Sequence, residues 1–157
     1  MVHSNTPKGF SARSLFGFIA GFASTLIFHQ LTLALLWNAG LAPSAPFSTA
    51  ATYPFGVPAV LSLALWGGVW GILFAFTERK FARRGGYWVA AFLFGAVLPS
   101  LVALLVVLPL KGQPVGGGWQ PHVWLTAFLI NGAWGIGTGI ILRALLTKIA
   151  WARQATA

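Results

Sequence analysis

Polar residues inside an otherwise apolar stretch carry the clearest chemical signal in this chain. Thr25, His29 and Thr32 follow one another at intervals of four and three residues, and Gln30 adjoins His29. Residues three or four apart lie on one face of a helix, so the first three predict a polar stripe. Ionisable residues within a membrane are costly and usually serve a function. His29 is therefore the first candidate for a functional side chain.

Three further polar residues interrupt other apolar stretches and complete an intramembrane polar cluster. The cluster comprises Thr25, His29, Gln30, Thr32, Ser62, Thr126 and Asn131. We expect Asn131 to reach a depth comparable to that of His29. A neutral His29 hydrogen-bonded to Asn131 or Gln30 would be a structural pair, worth about 0.6 to 2 kcal/mol in a membrane. The alternatives for His29 are a proton or ligand site, a haem ligand, or a contact to a partner subunit.

The residue inventory offers little for cofactor or catalytic chemistry. A haem held between helices usually takes two axial ligands. Besides His29 the chain has only His122, His3 and Met1 as candidates, and a pair of His29 with His122 would need an unusual bend. The chain has no cysteine, and the sequence reveals no nucleophile with a base, no paired carboxylates and no metal-ligand cluster. We therefore expect a non-catalytic protein without a metal or another cofactor.

The elements that must position these residues are four long apolar runs. With 57% hydrophobic and 7% charged residues, the composition excludes water as the main solvent. A helix needs roughly 20 apolar residues to cross a bilayer, and runs of that length occupy about 15–37, 57–76, 87–108 and 123–146. The first run is too long for the apolar core of a signal peptide, so we expect it to be retained. The sequence predicts an all-α membrane protein, a single transmembrane domain over 1–157 folded as a four-helix bundle.

The distribution of charge predicts how the helices are oriented. Nine of the ten Lys and Arg residues lie before the first run, in loop 77–86, or in the last turn of the fourth run and the tail that follows it, and four of them are Arg79, Lys80, Arg83 and Arg84. Loops 38–56 and 109–122 contain only Lys111. Because positive residues favour the cytoplasmic side, both termini are predicted to be cytoplasmic. The formal charge of +9 is clustered at helix ends and forms no stripe, which indicates contact with anionic lipid and excludes nucleic acid as a partner.

Small residues spaced four apart predict close helix packing. These positions are Gly17 and Gly21, Gly67 and Gly71, Ala91 and Gly95, and Gly135 and Gly139. In lipid, helices associate largely through such small residues, which allow their backbones to approach. Trp70 and Trp134 stand beside these glycines and are expected to fill the space they leave, with Trp66 stacked on the same face. Packing within one chain and packing between copies are both compatible with the pattern.

An internal repeat is visible between the second and fourth runs. Gly67-Gly68-Val69-Trp70-Gly71-Ile72 aligns without a gap on Asn131-Gly132-Ala133-Trp134-Gly135-Ile136. The first and third runs align more loosely, with Gly21 on Gly95. A genuine duplication would give two parallel halves of two helices each. Chance similarity between glycine-rich membrane helices is the alternative.

Four segments stand out in the first half of the chain: Phe18-Ile19-Ala20-Gly21-Phe22, Phe28-His29-Gln30, Pro54-Phe55-Gly56-Val57-Pro58 and Trp66-Gly67-Gly68-Val69-Trp70-Gly71. With these segments the chain resembles uncharacterised small four-helix inner-membrane proteins of proteobacteria. The resemblance implies a location in the bacterial cytoplasmic membrane and brings no activity with it.

Two hypotheses for function remain. The first is a small helical scaffold or an accessory subunit that packs against other membrane subunits or copies of itself. The second is a channel or transporter component whose pathway is lined by His29, Gln30, Asn131, Ser62 and Thr126. A polar cavity joining these five residues to the outer side would favour transport, whereas a dry and interlocked centre would favour the scaffold.

Overall fold

Four helices that are long and apolar enough to cross a membrane dominate the structure. The structure is a computed structural model that describes residues 8–82 and 84–155, with side chains described for 12–82 and 84–148. The apolar spans are Ala12–Asn38, Ala59–Lys80, Gly85–Leu110 and Pro121–Lys148. Each contains at least 22 residues, more than the roughly 20 that a hydrocarbon core requires.

Two of the four helices contain a π-helical turn. Helix α1 runs over Lys8–Ser24, passes through a π turn at Thr25–His29 and continues over Gln30–Asn38. Helix α2 covers Ala59–Thr77 and is followed by a 3₁₀ turn at Glu78–Lys80. Helix α3 covers Gly85–Val102, passes through a π turn at Ala103–Val107 and ends with Leu108–Leu110. Helix α4 extends over Pro121–Ala155.

Residues that often interrupt helices lie within α3 in two places. Gly85 and Gly86 form its start, after α2 has ended at Thr77. Helix α3 also continues through Pro99, and its π turn begins four residues later. A proline removes one backbone hydrogen bond and π turns are rare, so this stretch of α3 departs from regular α-helix twice within two turns.

The two loops at one end of the helices are ordered by specific contacts. Strands β1 (Ala51–Thr52) and β2 (Val57–Pro58) pair antiparallel, with Ala51 opposite Pro58. The other loop contains a turn at Val115–Trp119 in which three successive glycines have φ between 62° and 68°. Because that conformation is strained for residues with a Cβ, the triple glycine is required by the turn itself. We call this end of the molecule the loop end.

Glycines set the distance between α1 and α2 and between α3 and α4. A Cβ added to Gly21 would overlap the carbonyl oxygen of Gly67 and lie 2.8 Å from Cα of Gly71. A Cβ added to Gly95 would overlap the carbonyl oxygen of Asn131 and lie 2.9 Å from Cα of Gly135. Both pairs are therefore in backbone contact, the arrangement that small residues four apart permit.

The two pairs meet through α1 and α4 and through a cluster of aromatic side chains. Phe74 of α2 is fully buried and its ring lies edge-on to that of Phe94 of α3, with centroids 5.2 Å apart. Phe81 and Trp134 contact Phe74 in the same edge-on manner. Edge-to-face packing is the favoured geometry for aromatic rings, and these rings fill the space between α2 and α3.

Candidate functional site

His29 carries the buried polar side-chain atom that the described part of the fold leaves without a hydrogen-bond partner. It occupies the last position of the π turn in α1 and its side chain is partly buried. Its Nδ1 atom is buried and has no hydrogen-bond partner among the described residues. Turns of π helix occur frequently at functional sites, so both observations single out the same residue.

The two side chains expected to pair with His29 form hydrogen bonds elsewhere. Asn131 donates through Nδ2 to Oγ of Ser100 at 2.9 Å, which links α4 to α3. Ser100 in turn donates to the carbonyl oxygen of Ala127 at 3.2 Å. Gln30 accepts through Oε1 the backbone N–H of Phe47, at 2.6 Å, and so fastens the loop that carries β1 and β2 to α1. His29 is hydrogen-bonded to neither of them, which makes the predicted structural pair wrong.

At mid-helix, buried hydroxyls and an indole connect α1 to α4. Ser24 donates to the carbonyl oxygen of Trp134 at 2.7 Å, and Trp134 donates through Nε1 to the carbonyl oxygen of Gly21 at 3.0 Å. Thr25 also donates to Gly21, and Thr138 donates to Trp134. All four donors are almost completely buried. Buried polar groups need such partners, and here each bond is made with protein.

The remaining members of the polar cluster do not join these contacts. Thr126 lies towards the loop end and donates to the carbonyl oxygen of Leu41 at 3.1 Å. Thr32 and Ser62 are partly buried. Four of the seven predicted residues, Thr25, Gln30, Thr126 and Asn131, make separate local hydrogen bonds, and the structure does not assemble the seven into one site.

The predicted aromatic and charged positions also differ in their surroundings. Trp134 is 3% exposed and Trp70 packs against the core, but Trp66 is 63% exposed. The expectation that Trp66 stacks on the interior face is wrong, because its position on α2 points away from α1. Arg79, Lys80 and Arg84 are exposed, whereas Arg83 and His3 lie outside the described residues. His122 is exposed near the start of α4.

The strongest ionic contact of the described chain involves its single carboxylate. Glu78 accepts from Nη2 of Arg13 at 2.8 Å through Oε1 and from the hydroxyl of Tyr87 at 2.5 Å through Oε2. Arg13 also donates to the carbonyl oxygen of Ala75. The guanidinium of Arg143 lies over the ring of Tyr87, 4.5 Å from its centroid. Residues from all four helices or their ends thus come together here. We call this end of the molecule the basic end.

A cavity of about 550 Å³ opens at the basic end. It is bordered by Glu78, Phe81, Ala82, Arg84, Tyr87, Arg143, Leu146 and Thr147. None of these residues belongs to the predicted polar cluster. Sequence reasoning missed the site, although a lone carboxylate among ten basic residues was a usable signal, since such a group is expected to pair with a cation.

Among the described residues, no three His, Asp or Glu side chains come together as metal ligands would. Comparison of the chain with protein-family models, with curated proteins and with solved structures finds no match.

Proposed function

We propose that the protein is a non-catalytic helical scaffold or accessory subunit of a membrane complex. In this proposal the four helices form one bundle in the bacterial cytoplasmic membrane, with both termini in the cytoplasm. Its partners are the lipid bilayer and other membrane subunits or copies of itself.

The observation that carries the proposal is the use of interior polar groups for attachment between helices. Ser24 and Trp134 join α1 to α4, Asn131 and Ser100 join α4 to α3, and Gln30 fastens a loop. A transport pathway would require polar groups that face water or a substrate. Here they face other parts of the chain, as expected for a rigid scaffold.

Contacts repeated at a fixed sequence offset support a two-plus-two duplication. Phe18 covers Gly68 in the first pair and Phe92 covers Gly132 in the second. Phe92 follows Phe18 by 74 residues, the same offset that separates Gly95 from Gly21. Gly132 follows Gly68 by 64 residues, as Gly135 follows Gly71. If the similarity of these glycine-rich helices were due to chance, aligned residues would not be expected to make the same contacts in both pairs.

The distribution of charge at the basic end supports the proposed orientation. Arg13, Arg79, Lys80, Arg84 and Arg143 lie there, and the loop end carries Lys111 alone of the Lys and Arg residues that the structure describes. Both sets of loops are short, which is the condition under which positive charge governs orientation. The basic end is accordingly assigned to the cytoplasm.

Two aromatic side chains at the loop end provide a docking element for a partner subunit. Tyr53 is 98% exposed and Phe55 is 87% exposed, and both lie between β1 and β2. The hairpin is held in place because Thr52 donates to the carbonyl oxygen of Val57 and Gln30 anchors the loop further upstream. Exposed aromatic residues on a fixed support are typical of the centres of protein interfaces.

A channel or transporter component is the second candidate, and the unpartnered Nδ1 of His29 is the observation in its favour. The cavity at the basic end gives it no support, because none of its lining residues belongs to the expected pathway. It predicts a proton flux into proteoliposomes that the His29→Ala variant loses. The scaffold predicts no flux from either protein.

The scaffold proposal is tested by capturing the tagged full chain from native membranes in mild detergent and identifying co-purifying proteins by mass spectrometry. We expect a defined membrane subunit or a stable homo-oligomer. Replacing Tyr53 and Phe55 with Ser is expected to lower its recovery at least tenfold, since interface hot spots are worth 2 kcal/mol or more.

The matched control is Leu110→Ser, which alters a side chain that is 82% exposed at the same end of the molecule. It is expected to leave recovery unchanged. A monomer without any partner, from unmodified protein, would overturn the scaffold proposal. Equal loss in the control and in the hairpin variant would overturn the role of Tyr53 and Phe55.

A further inference from the structure

We propose that the cavity at the basic end binds an anionic phosphate group, supplied either by a phospholipid headgroup or by a soluble phosphate compound. Two guanidinium groups, those of Arg84 and Arg143, border the cavity. Within the described part of the chain, neither forms an ion pair with a carboxylate.

The one carboxylate at the cavity is already engaged. Both oxygens of Glu78 accept hydrogen bonds, one from Arg13 and one from Tyr87. The charge of Glu78 is balanced by Arg13, which does not border the cavity. Arg84 and Arg143 therefore give the cavity a positive charge that the described chain leaves without a counterion.

Arg143 is held in a geometry suited to a planar, bidentate anion contact. Its guanidinium lies 4.5 Å from the ring centroid of Tyr87 and 5.8 Å from that of Trp88. Stacking on aromatic rings occupies the face of a guanidinium and leaves the N–H groups on its edge free. Those edge groups match two oxygens of a phosphate, and such contacts are among the strongest hydrogen bonds in proteins.

The remaining walls fit the organic part of a phosphate ester. Phe81 and Leu146 supply apolar surface, whereas the hydroxyl of Thr147 is already used within α4, where it donates to the carbonyl oxygen of Arg143. The volume of about 550 Å³ lies in the range of small-molecule sites. A lipid headgroup would reach the cavity from the cytoplasmic leaflet, which is rich in anionic lipid. That route rests on the proposed orientation, whereas binding of soluble phosphate does not.

The test is calorimetric titration of the purified full chain in a neutral detergent with three probes: inorganic phosphate, dioctanoyl phosphatidic acid and dioctanoyl phosphatidylcholine. We expect saturable binding of at least one of the first two and none of the zwitterionic lipid. Binding of phosphatidic acid alone assigns the site to lipid headgroups. Binding of inorganic phosphate assigns it to soluble phosphate compounds.

Two variants connect binding to the cavity. Arg143→Gln is expected to weaken binding at least tenfold, and Arg84→Gln, which leaves the stacked guanidinium in place, at least threefold. The control is Lys148→Gln, which removes an exposed cation from the same helix outside the cavity and should leave affinity unchanged. If Arg143→Gln does not fold, Arg84→Gln decides.

Three results would overturn the proposal. They are the absence of binding by both phosphate probes, equal binding of phosphatidylcholine, and equal loss of affinity in the cavity variants and in Lys148→Gln. The last result would show attraction to overall positive charge and no defined site.

Discussion

The α1–α2 pair and the α3–α4 pair share a backbone arrangement but place their polar groups differently. In the first pair Gly67 leaves room for Thr25, whose Oγ1 a Cβ on Gly67 would overlap. In the second pair Asn131 stands at the position aligned with Gly67 and reaches across to Ser100. Small residues therefore set the distance between the helices in both pairs, whereas the polar contacts between those helices differ from one pair to the other.

The contacts between the pairs differ more strongly. Helix α1 meets α4 at Gly137, which leaves room for Ser24 and for the ring of Phe28: an added Cβ would lie 2.5 Å from Oγ of Ser24 and would overlap that ring. Helix α2 meets α3 through Phe74 and Phe94, which are buried and in ring contact. The aligned positions of these phenylalanines, Thr138 and Ala20, are fully buried as well. One contact between the pairs is thus narrow and the other is wide and filled with aromatic rings.

The largest expected effect comes from substitutions that force apart the glycine contacts within the two helix pairs, α1–α2 and α3–α4. In Gly71→Leu the new side chain would collide with the backbone of Gly17 and Gly21, and in Gly135→Leu with that of Ala91 and Gly95. Overpacking typically costs about 1 to 3 kcal/mol, and we expect at least the upper value because backbone cannot rotate away. Both variants should lose a comparable part of their thermal stability in detergent, measured by fluorescence-detected size exclusion.

Gly85→Leu is the control, since a Cβ at Gly85 meets nothing within 4 Å. It should stay close to the unmodified protein in thermal stability. A stable Gly135→Leu beside an unstable Gly71→Leu would show that the second pair is held by Asn131 and Ser100 more than by its glycines. This result would contradict the proposed equivalence of the glycine contacts in the two helix pairs.

A smaller but still large effect should distinguish the wide contact between α2 and α3 from the narrow contact between α1 and α4. Phe74→Ala removes a fully buried ring that contacts Phe81, Phe94 and Trp134. Such truncations cost about 3 to 5 kcal/mol in soluble cores, and we expect about 3 kcal/mol or less here, because lipid leaves little hydrophobic force between helices. Thr138→Ala removes a hydroxyl that bonds within its own helix and should cost about 1 kcal/mol. Unfolding in SDS would measure both. Equal losses would contradict the assignment of the aromatic cluster as the filler of the wide contact.

The sequence predicted the elements well and the contacts unevenly. Apolar length and glycine spacing are local properties of the sequence. The first located the four spans, and the second located glycines at which the helices of each pair come into backbone contact. The pairing of His29 was wrong because hydrogen-bond partners depend on helix rotation and on how a loop folds back, as the bond from Phe47 to Gln30 illustrates. The ionic contact of Glu78 was missed because it joins residues that are 65 positions apart in the chain.

The smallest predicted effect tests whether the two aligned tryptophans have diverged in role. Trp134 donates to Gly21 in the opposite pair, whereas Trp70 packs against the core and makes no hydrogen bond among the described contacts. Trp134→Phe should therefore lower the free energy of unfolding by about 0.6 to 2 kcal/mol, the range for hydrogen bonds between membrane helices. Trp70→Phe removes a similar volume without a hydrogen bond and serves as the matched control, with a smaller loss expected in SDS unfolding. Equal losses would mean that the indole of Trp134 contributes volume only, and that the two pairs are joined by Ser24 and by apolar packing instead.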